Sequence, residues 1–276
     1  MVYNPAEFWS ELVTGRAGLP SVGHPALGAY NRVAYRFRLA ALRRAITASV
    51  PLWPNVRIFE GGFGVGFYLE YYAHEGVRHV TGVDLSGAAA ESLQARFHDF
   101  RLMQGDLTQP LPFAERSFDL VTAIDVLYHI VDDQCWHQAL AQLADLVAPG
   151  GVLVLTDKFP CERAAQTFPH VRRRSLTDYR RVLEGRGLGV HGISPVFVLM
   201  DDPITCGEKR WLGRLSLAQW RVVQKTIRVL GRWPRLRDIV AISLAGLQFP
   251  SEWLLVRLIR RSPNLEVLVA RRPGHP

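Results

Sequence analysis

The chain has 276 residues, 48% of them apolar and 21% charged, enough for one sizeable α/β domain with an appendage of roughly 60–100 residues and too apolar for global disorder. Its net charge of +8 is uneven: residues 1–160 carry 12 Lys and Arg against 16 Asp and Glu, and residues 161–276 carry 21 against 9. No uncharged apolar run reaches the ~18–20 residues of a membrane span. Glu7 and Glu11 stand where a signal peptide would be positive, and Cys135, Cys161 and Cys206 are too scattered for a metal cluster or a disulfide framework. A cytoplasmic chain without a metal is expected.

Residues 1–50 lack strand patterning and read as a helical cap. Asn31 can cap a helix running to about Ile46, with Val33, Phe37, Ala40 and Ala41 on one side and Arg32, Arg36 and Arg43 on the next. Residues 15–28 are rich in Gly and Pro and read as a loop, and Pro51 and Pro54 break the chain. From Val56 short apolar strands alternate with helices, which predicts a parallel α/β sheet. The strands are expected at about 56–60, 79–84, 100–104, 118–124, 151–156, 190–199 and 265–271, and helices at 67–74, 88–95, 136–146 and 175–185.

Residues 201–262 interrupt this alternation. Trp220, Val223, Ile227 and Leu230 fall on one helical face, and Arg221, Lys225, Arg228 and Arg232 on another. The expected organisation is a cap (1–50), a core (51–200), a basic helical insertion (201–262) and a final strand with a tail (263–276).

Five sequence pieces carry the chemistry. The first is Ile58-Phe59-Glu60-Gly61-Gly62-Phe63-Gly64-Val65-Gly66, between an apolar strand and a helix. Such a turn brings backbone close to a ligand where a Cβ would intrude, and the helix start offers free N–H groups. An acid ahead of the glycines would repel a pyrophosphate and suits a ligand bearing an ammonium. The second is Val83-Asp84-Leu85 at the end of the next strand, where an ionised carboxylate can accept both hydroxyls of a ribose. The third is Gln104-Gly105-Asp106-Leu107, where Asp106 can accept from an amino group and Leu107 can donate its N–H. The fourth is the strand from Phe118 running into Asp125, Tyr128 and His129, at the edge where such sheets bind ligands. The fifth is Pro149-Gly150-Gly151, a helix stop and tight turn before a buried strand.

In this order and spacing the five pieces resemble the class I (Rossmann-like) S-adenosylmethionine (SAM)-dependent methyltransferase family, over about residues 56–200 and again at 265–271. The resemblance implies a doubly wound, seven-stranded, mostly parallel sheet with the last strand antiparallel. It implies that Glu60, Gly62, Gly64 and Gly66 hold the methionine part of SAM. Asp84 would bind the ribose and Asp106 with Leu107 the adenine, and Leu85 and Asp125 are further expected cofactor-binding residues. Glu60 stands where the family often has Asp.

Methyl transfer to O or N often needs one proton removed. His129, His170 and Asp125 are the candidate bases, with Tyr128, Asp157 and Lys158 nearby in sequence. Arg172–Arg174 read first as a solvated face and second as a clamp for an anion. Because strand six is parallel, the 201–262 insertion is expected to leave the sheet on the cofactor side and to cover or border the site, with Trp211, Trp220 and Trp233 in its core; the resemblance implies that the N-terminal segment 1–45 does the same, and together they predict a lidded pocket. The resulting expectation is methyl transfer from SAM to an O, N or C atom of a small-molecule acceptor, an anionic one if the basic half faces it. RNA methylation, membrane-surface work on a lipid or quinone, and SAM binding without catalysis stand as alternatives. Nucleic acid is the less favoured partner, because no RNA-binding module is appended, and peripheral membrane contact is allowed by the basic amphipathic helix at 217–232.

Overall fold

The computed structural model describes residue 5 and residues 28–50, 55–160, 165–204 and 210–274. Glu7, Glu11, Cys161 and Cys206 lie outside the described residues. In chain order the elements are α1 (Gly28–Thr47), β1 (Arg57–Gly61), α2 (Phe67–His74), β2 (His79–Asp84), α3 (Gly87–Arg96), β3 (Arg101–Gln104) and β4 (Phe118–Ala123). There follow a 3-10 turn (Leu127–His129), α4 (Asp133–Leu146), β5 (Val147–Asp157), β6 (Ala165–Phe168), β7 (Val171–Arg173), α5 (Leu176–Gly185) and β8 (Gly189–Pro195). Last come α6 (Arg210–Val229), a second 3-10 turn (Leu230–Arg232), α7 (Pro234–Leu258) and β9 (Glu266–Arg271).

Seven strands form one sheet in the order β3-β2-β1-β4-β5-β9-β8. β1 pairs in parallel with β2 and β4, β2 with β3 and β4 with β5, whereas β9 is antiparallel to both β5 and β8. This is the doubly wound sheet expected from the sequence. The period of two along a strand divides its residues between two apolar layers. Ile58, Leu120, Val152, Val154 and Val267 face one layer, together with residues of α1, α2, α3, α6 and α7. Phe59, Val121, Leu153, Leu155 and Leu268 face the other, with α4 and α5. The central strands β4, β5 and β9 are apolar over most of their length because both faces are covered there.

Local sequence sets the helix ends. Ser86 accepts from the Ala89 N–H at the start of α3, Asp132 from Cys135 at the start of α4, and Ser175 forms a reciprocal capping box with Asp178 at the start of α5. Asn31 does not cap α1. The helix already runs from Gly28, and Asn31 is buried inside it. The β6–β7 hairpin carries no strong strand pattern and is an addition to the strands expected from the sequence.

Candidate functional site

The strand order reverses between β1 and β4, with β2 and β3 on one side and β5 on the other. A crevice is expected at the carboxyl edge of such a switch point. A cavity of about 360 Å³ lies there, walled by the loops after β1, β2, β3 and β4 and roofed by Tyr35 and Arg38 of α1.

The glycine turn after β1 divides its labour. Gly62 and Gly64 line the cavity and Gly66 does not. All three have positive φ, a region that costs little only for glycine. A Cβ on Gly62 would meet Val126 Cγ2 at 2.4 Å, and one on Gly66 would meet Leu93 Cδ2 at 2.7 Å. A Cβ on Gly64 would meet no protein atom within 4 Å, so the space beside Gly64 belongs to the cavity. Gly66 serves helix packing, and Gly64 serves whatever occupies the cavity.

Glu60, placed beside the ligand by the sequence reading, does not line the cavity. It is fully buried, and its Oε2 accepts from Tyr72 Oη at 2.8 Å and from Thr122 Oγ1. β1 is paired on both sides at this point, with Gly82 and Thr122, so the side chain enters a packed layer rather than the crevice. Its Oε1 has no hydrogen-bond partner among the described residues. Burial pushes its carboxyl up to about 7, against the hydrogen bonds from Thr122 and Tyr72.

Asp84 and Leu85 are on the wall. Asp84 Oδ2 accepts the Gly64 N–H at 2.7 Å and Oδ1 the Ser86 N–H at 2.9 Å, so one carboxylate ties the β2 edge to the glycine turn. Burial raises its pKa, and the two N–H groups oppose the rise. Each oxygen retains a second lone pair for a ligand hydroxyl. Asp106 and Leu107 also line the cavity, and Asp106 Oδ1 holds its loop by accepting the Thr108 N–H at 2.8 Å.

Asp125, Tyr128 and His129 line the far part of the wall. Asp125 sits at φ 60, a strained conformation for a residue with a Cβ. Its carboxylate is committed: Oδ2 accepts from Arg38 Nε at 2.6 Å and Oδ1 from Thr156 Oγ1 at 2.9 Å. His129 Nδ1 is 3.0 Å from the His170 carbonyl oxygen; a carbonyl can only accept, so the proton is on Nδ1. Burial lowers the His129 pKa to about 4, so the ring is neutral near pH 7. His170 is absent from the cavity wall. It holds His129 through that carbonyl and through ring stacking at 5.8 Å.

Asp157 and Lys158 do not reach the cavity. Asp157 is fully buried and accepts from Tyr179 Oη at 2.7 Å and Arg173 Nη1 at 3.1 Å, and Lys158 pairs with Asp201 at 3.1 Å. The reading of Arg172–Arg174 as a solvated face is overturned for two of the three, because Arg173 and Arg174 are buried. Arg173 also stacks over the Tyr128 ring, 4.7 Å from its centre. Arg174 donates to the carbonyls of Ile130, Val131 and Asp132 and to Asp133 Oδ1, fixing a loop that walls the cavity. The β6–β7 hairpin, invisible in the sequence, turns these guanidiniums inward.

The 201–262 insertion is not the expected lid. Among the described residues none of it lines the cavity. α7 instead packs on the back of α1, where Tyr30 Oη donates to Gln248 at 2.9 Å and the Phe37 and Phe249 rings lie 4.9 Å apart. Of the three tryptophans placed in its core, Trp220 is buried and Trp211 and Trp233 are exposed. The lining role falls to Tyr35 and Arg38 of the N-terminal segment, the other expected cover, although the sequence does not single out these two side chains. The only available signal was that Arg38 stands next to the apolar face of its helix.

Residues 59–155 match the family model of the methyltransferase domain. The mouse (Mus musculus) protein named "Probable tRNA methyltransferase 9B" is 30% identical over 114 residues, 37% of this chain; the chain spans about a quarter of that relative's length, 24%. Among solved structures, phosphoethanolamine N-methyltransferase 2 of Haemonchus contortus, in complex with phosphomonomethylethanolamine and S-adenosylhomocysteine, superposes with a TM-score of 0.55. It is 16% identical, over 96% of this chain and 61% of that one. The 4+2 cyclase SpnF superposes with a TM-score of 0.52 at 17% identity, over 87% of this chain and 81% of that one. At these identities the structures speak to the fold.

Proposed function

The chain carries a class I SAM-dependent methyltransferase domain, and on that premise we propose that it methylates an O, N or C atom of a small molecule held in the crevice beside α1. The supporting observation is the cavity itself. It runs from Gly64 and Asp84 past Asp106 to Tyr128, His129, Tyr35 and Arg38, so one crevice joins cofactor-type residues to a stretch of wall where an acceptor can lie.

The residues fit SAM. Asp84 offers acceptors to a ribose diol, the space beside Gly64 admits a close ligand, and Asp106 and Leu107 stand on the same wall. When bound, SAM supplies a methyl group on a sulfonium. The chain's own part would be to hold the acceptor atom in line with that methyl and to provide a place for the proton that an O–H or N–H acceptor gives up. α1 excludes water and orients the acceptor. His129, neutral and with its proton fixed on Nδ1, is the wall group suited to receive a proton, although its lowered pKa makes it a weak base. Arg38 gives its Nε to Asp125, so a carboxylate already balances the charge of this guanidinium on the cavity wall.

An RNA acceptor is the second reading, favoured by the named function of the mouse relative. Incubating the protein with methyl-labelled SAM, a pool of small metabolites and total tRNA separates the two. Label in the small-molecule fraction supports the proposal, and label confined to RNA overturns it.

A further inference from the structure

α7 is apolar on the side that faces away from the protein. Its buried residues are Ala241, Ala245, Glu252 and Val256. Leu236, Ile239, Leu247, Leu254 and Leu258 are 48–78% exposed. Positions two apart on a helix differ by about 200°, so Ile239, Leu247, Leu254 and Leu258 stand directly opposite Ala241, Ala245, Glu252 and Val256. A helix of a soluble protein places charge there. The most apolar stretch of α7 has a mean hydropathy of 1.5, long and apolar enough to cross a membrane by length and composition, yet only 22% of it is buried. Trp211, Leu215, Val222 and Val229 on α6, and Trp233 between the helices, are exposed as well.

The two helices that carry this apolar surface are strongly basic. Residues 210–262 contain eleven Lys and Arg against two Asp and Glu. Neither acid is a free negative charge at the surface: Glu252 is buried and accepts N–H bonds from Val198, Leu199 and Met200, and Asp238 pairs with Arg237. Arg257 lies over the Trp253 ring at 3.6 Å, an amphipathic pair with an apolar body and a charged tip. Exposed apolar residues gathered on basic helices mark interaction surfaces.

We propose that the outward face of α7, with the basic α6 beside it, docks on an anionic lipid membrane, α7 lying in the boundary between headgroups and acyl chains. Anionic headgroups complement the arginines, and the leucines and tryptophans enter the acyl edge. A second copy is the poorer occupant, because two equally basic faces would oppose each other. Crossing the bilayer is excluded by the inner face: Glu252 holds three backbone N–H groups of the core in place, and Ala241, Ala245 and Val256 are packed.

The test is flotation of the full chain with vesicles of phosphatidylcholine alone and of phosphatidylcholine with phosphatidylglycerol. Binding is expected only with the anionic lipid and released by high salt. It should fall at least roughly tenfold in Leu247→Glu with Leu254→Glu, and in Arg221→Glu with Arg228→Glu. These side chains are exposed, so melting temperature and SAM affinity should not change. Four results would each overturn the proposal: no binding to anionic vesicles; binding untouched by either pair of substitutions; a lipid-free dimer that Leu247→Glu dissociates; or release by detergent but not by salt.

Discussion

Arg38 Nε stands 2.6 Å from Asp125 Oδ2, so the helix preceding the sheet is latched to the residue that ends the central strand. Both side chains are mostly shielded, at 12% and 17% exposure. The guanidinium also lies 5.1 Å from the centre of the Tyr35 ring and 4.9 Å from that of Phe197. Removing one partner of such a shielded pair leaves the other charge uncompensated. Arg38→Ala should cost roughly 3 kcal/mol of stability in urea unfolding, and Arg38→Lys less. A loss below about 0.5 kcal/mol, the level of an ordinary surface pair, would mean that α1 is held by its apolar contacts alone.

The glycine turn predicts opposite failures at neighbouring positions. Gly64→Ala meets open space and should fold with a cost of about 1 kcal/mol for its positive φ, while SAM affinity drops markedly. Gly66→Ala drives a methyl into Leu93 and should lose stability first, by about 1–3 kcal/mol. Paired thermal melts and SAM titrations of the two variants check this; equal losses of affinity and stability in both would contradict the division of labour.

Glu60 gives a pH signature. Its folded pKa, about 7 against an ordinary 4.5, means that the native state holds more protons than the unfolded one between those values. Stability from this group is therefore lost as pH rises through that window. Glu252, raised to about 7 by burial, and Asp157, raised to about 6, act in the same direction, whereas His129, lowered to about 4, acts in the opposite one. The difference between wild type and Glu60→Gln isolates the one group. Unfolding free energies measured from pH 4.5 to 8 should fall less steeply in Glu60→Gln; parallel curves would show that Glu60 does not titrate there.

His129 should stay neutral well below the ordinary imidazole range. Its ring resonances, assigned by comparison with His129→Asn, should not titrate between pH 8 and 5. An inflection near 6.5 would restore it as an efficient general base and displace the view of it as a buried, hydrogen-bonded wall residue.

Much of this architecture was legible because it rests on local rules. Buried strands read as apolar runs, Ser175 and Asp178 announce the start of α5, and Asp84, Asp106 and Asp125 end strands at the ligand edge. What escaped depends on tertiary placement. Nothing local says that Glu60 turns into a layer beside Tyr72 and Thr122. Nor does anything local say that Arg173 and Arg174 are buried by a hairpin with weak strand propensity. The insertion was misplaced because connectivity places only its point of departure at the cofactor edge; its apolar inner face then found the back of α1. Arg38 was missed because its partner lies 87 positions away.

The central claim is that the crevice is a SAM site organised by Asp84, and calorimetric titration of the full chain with SAM and separately with NADH tests it most directly. Micromolar binding of SAM, none of NADH, and a loss of roughly 1.5–3 kcal/mol in Asp84→Ala, as expected for a charged hydrogen-bonding partner, is the predicted result. Binding of NADH, or SAM affinity unchanged in a folded Asp84→Ala variant, would contradict it.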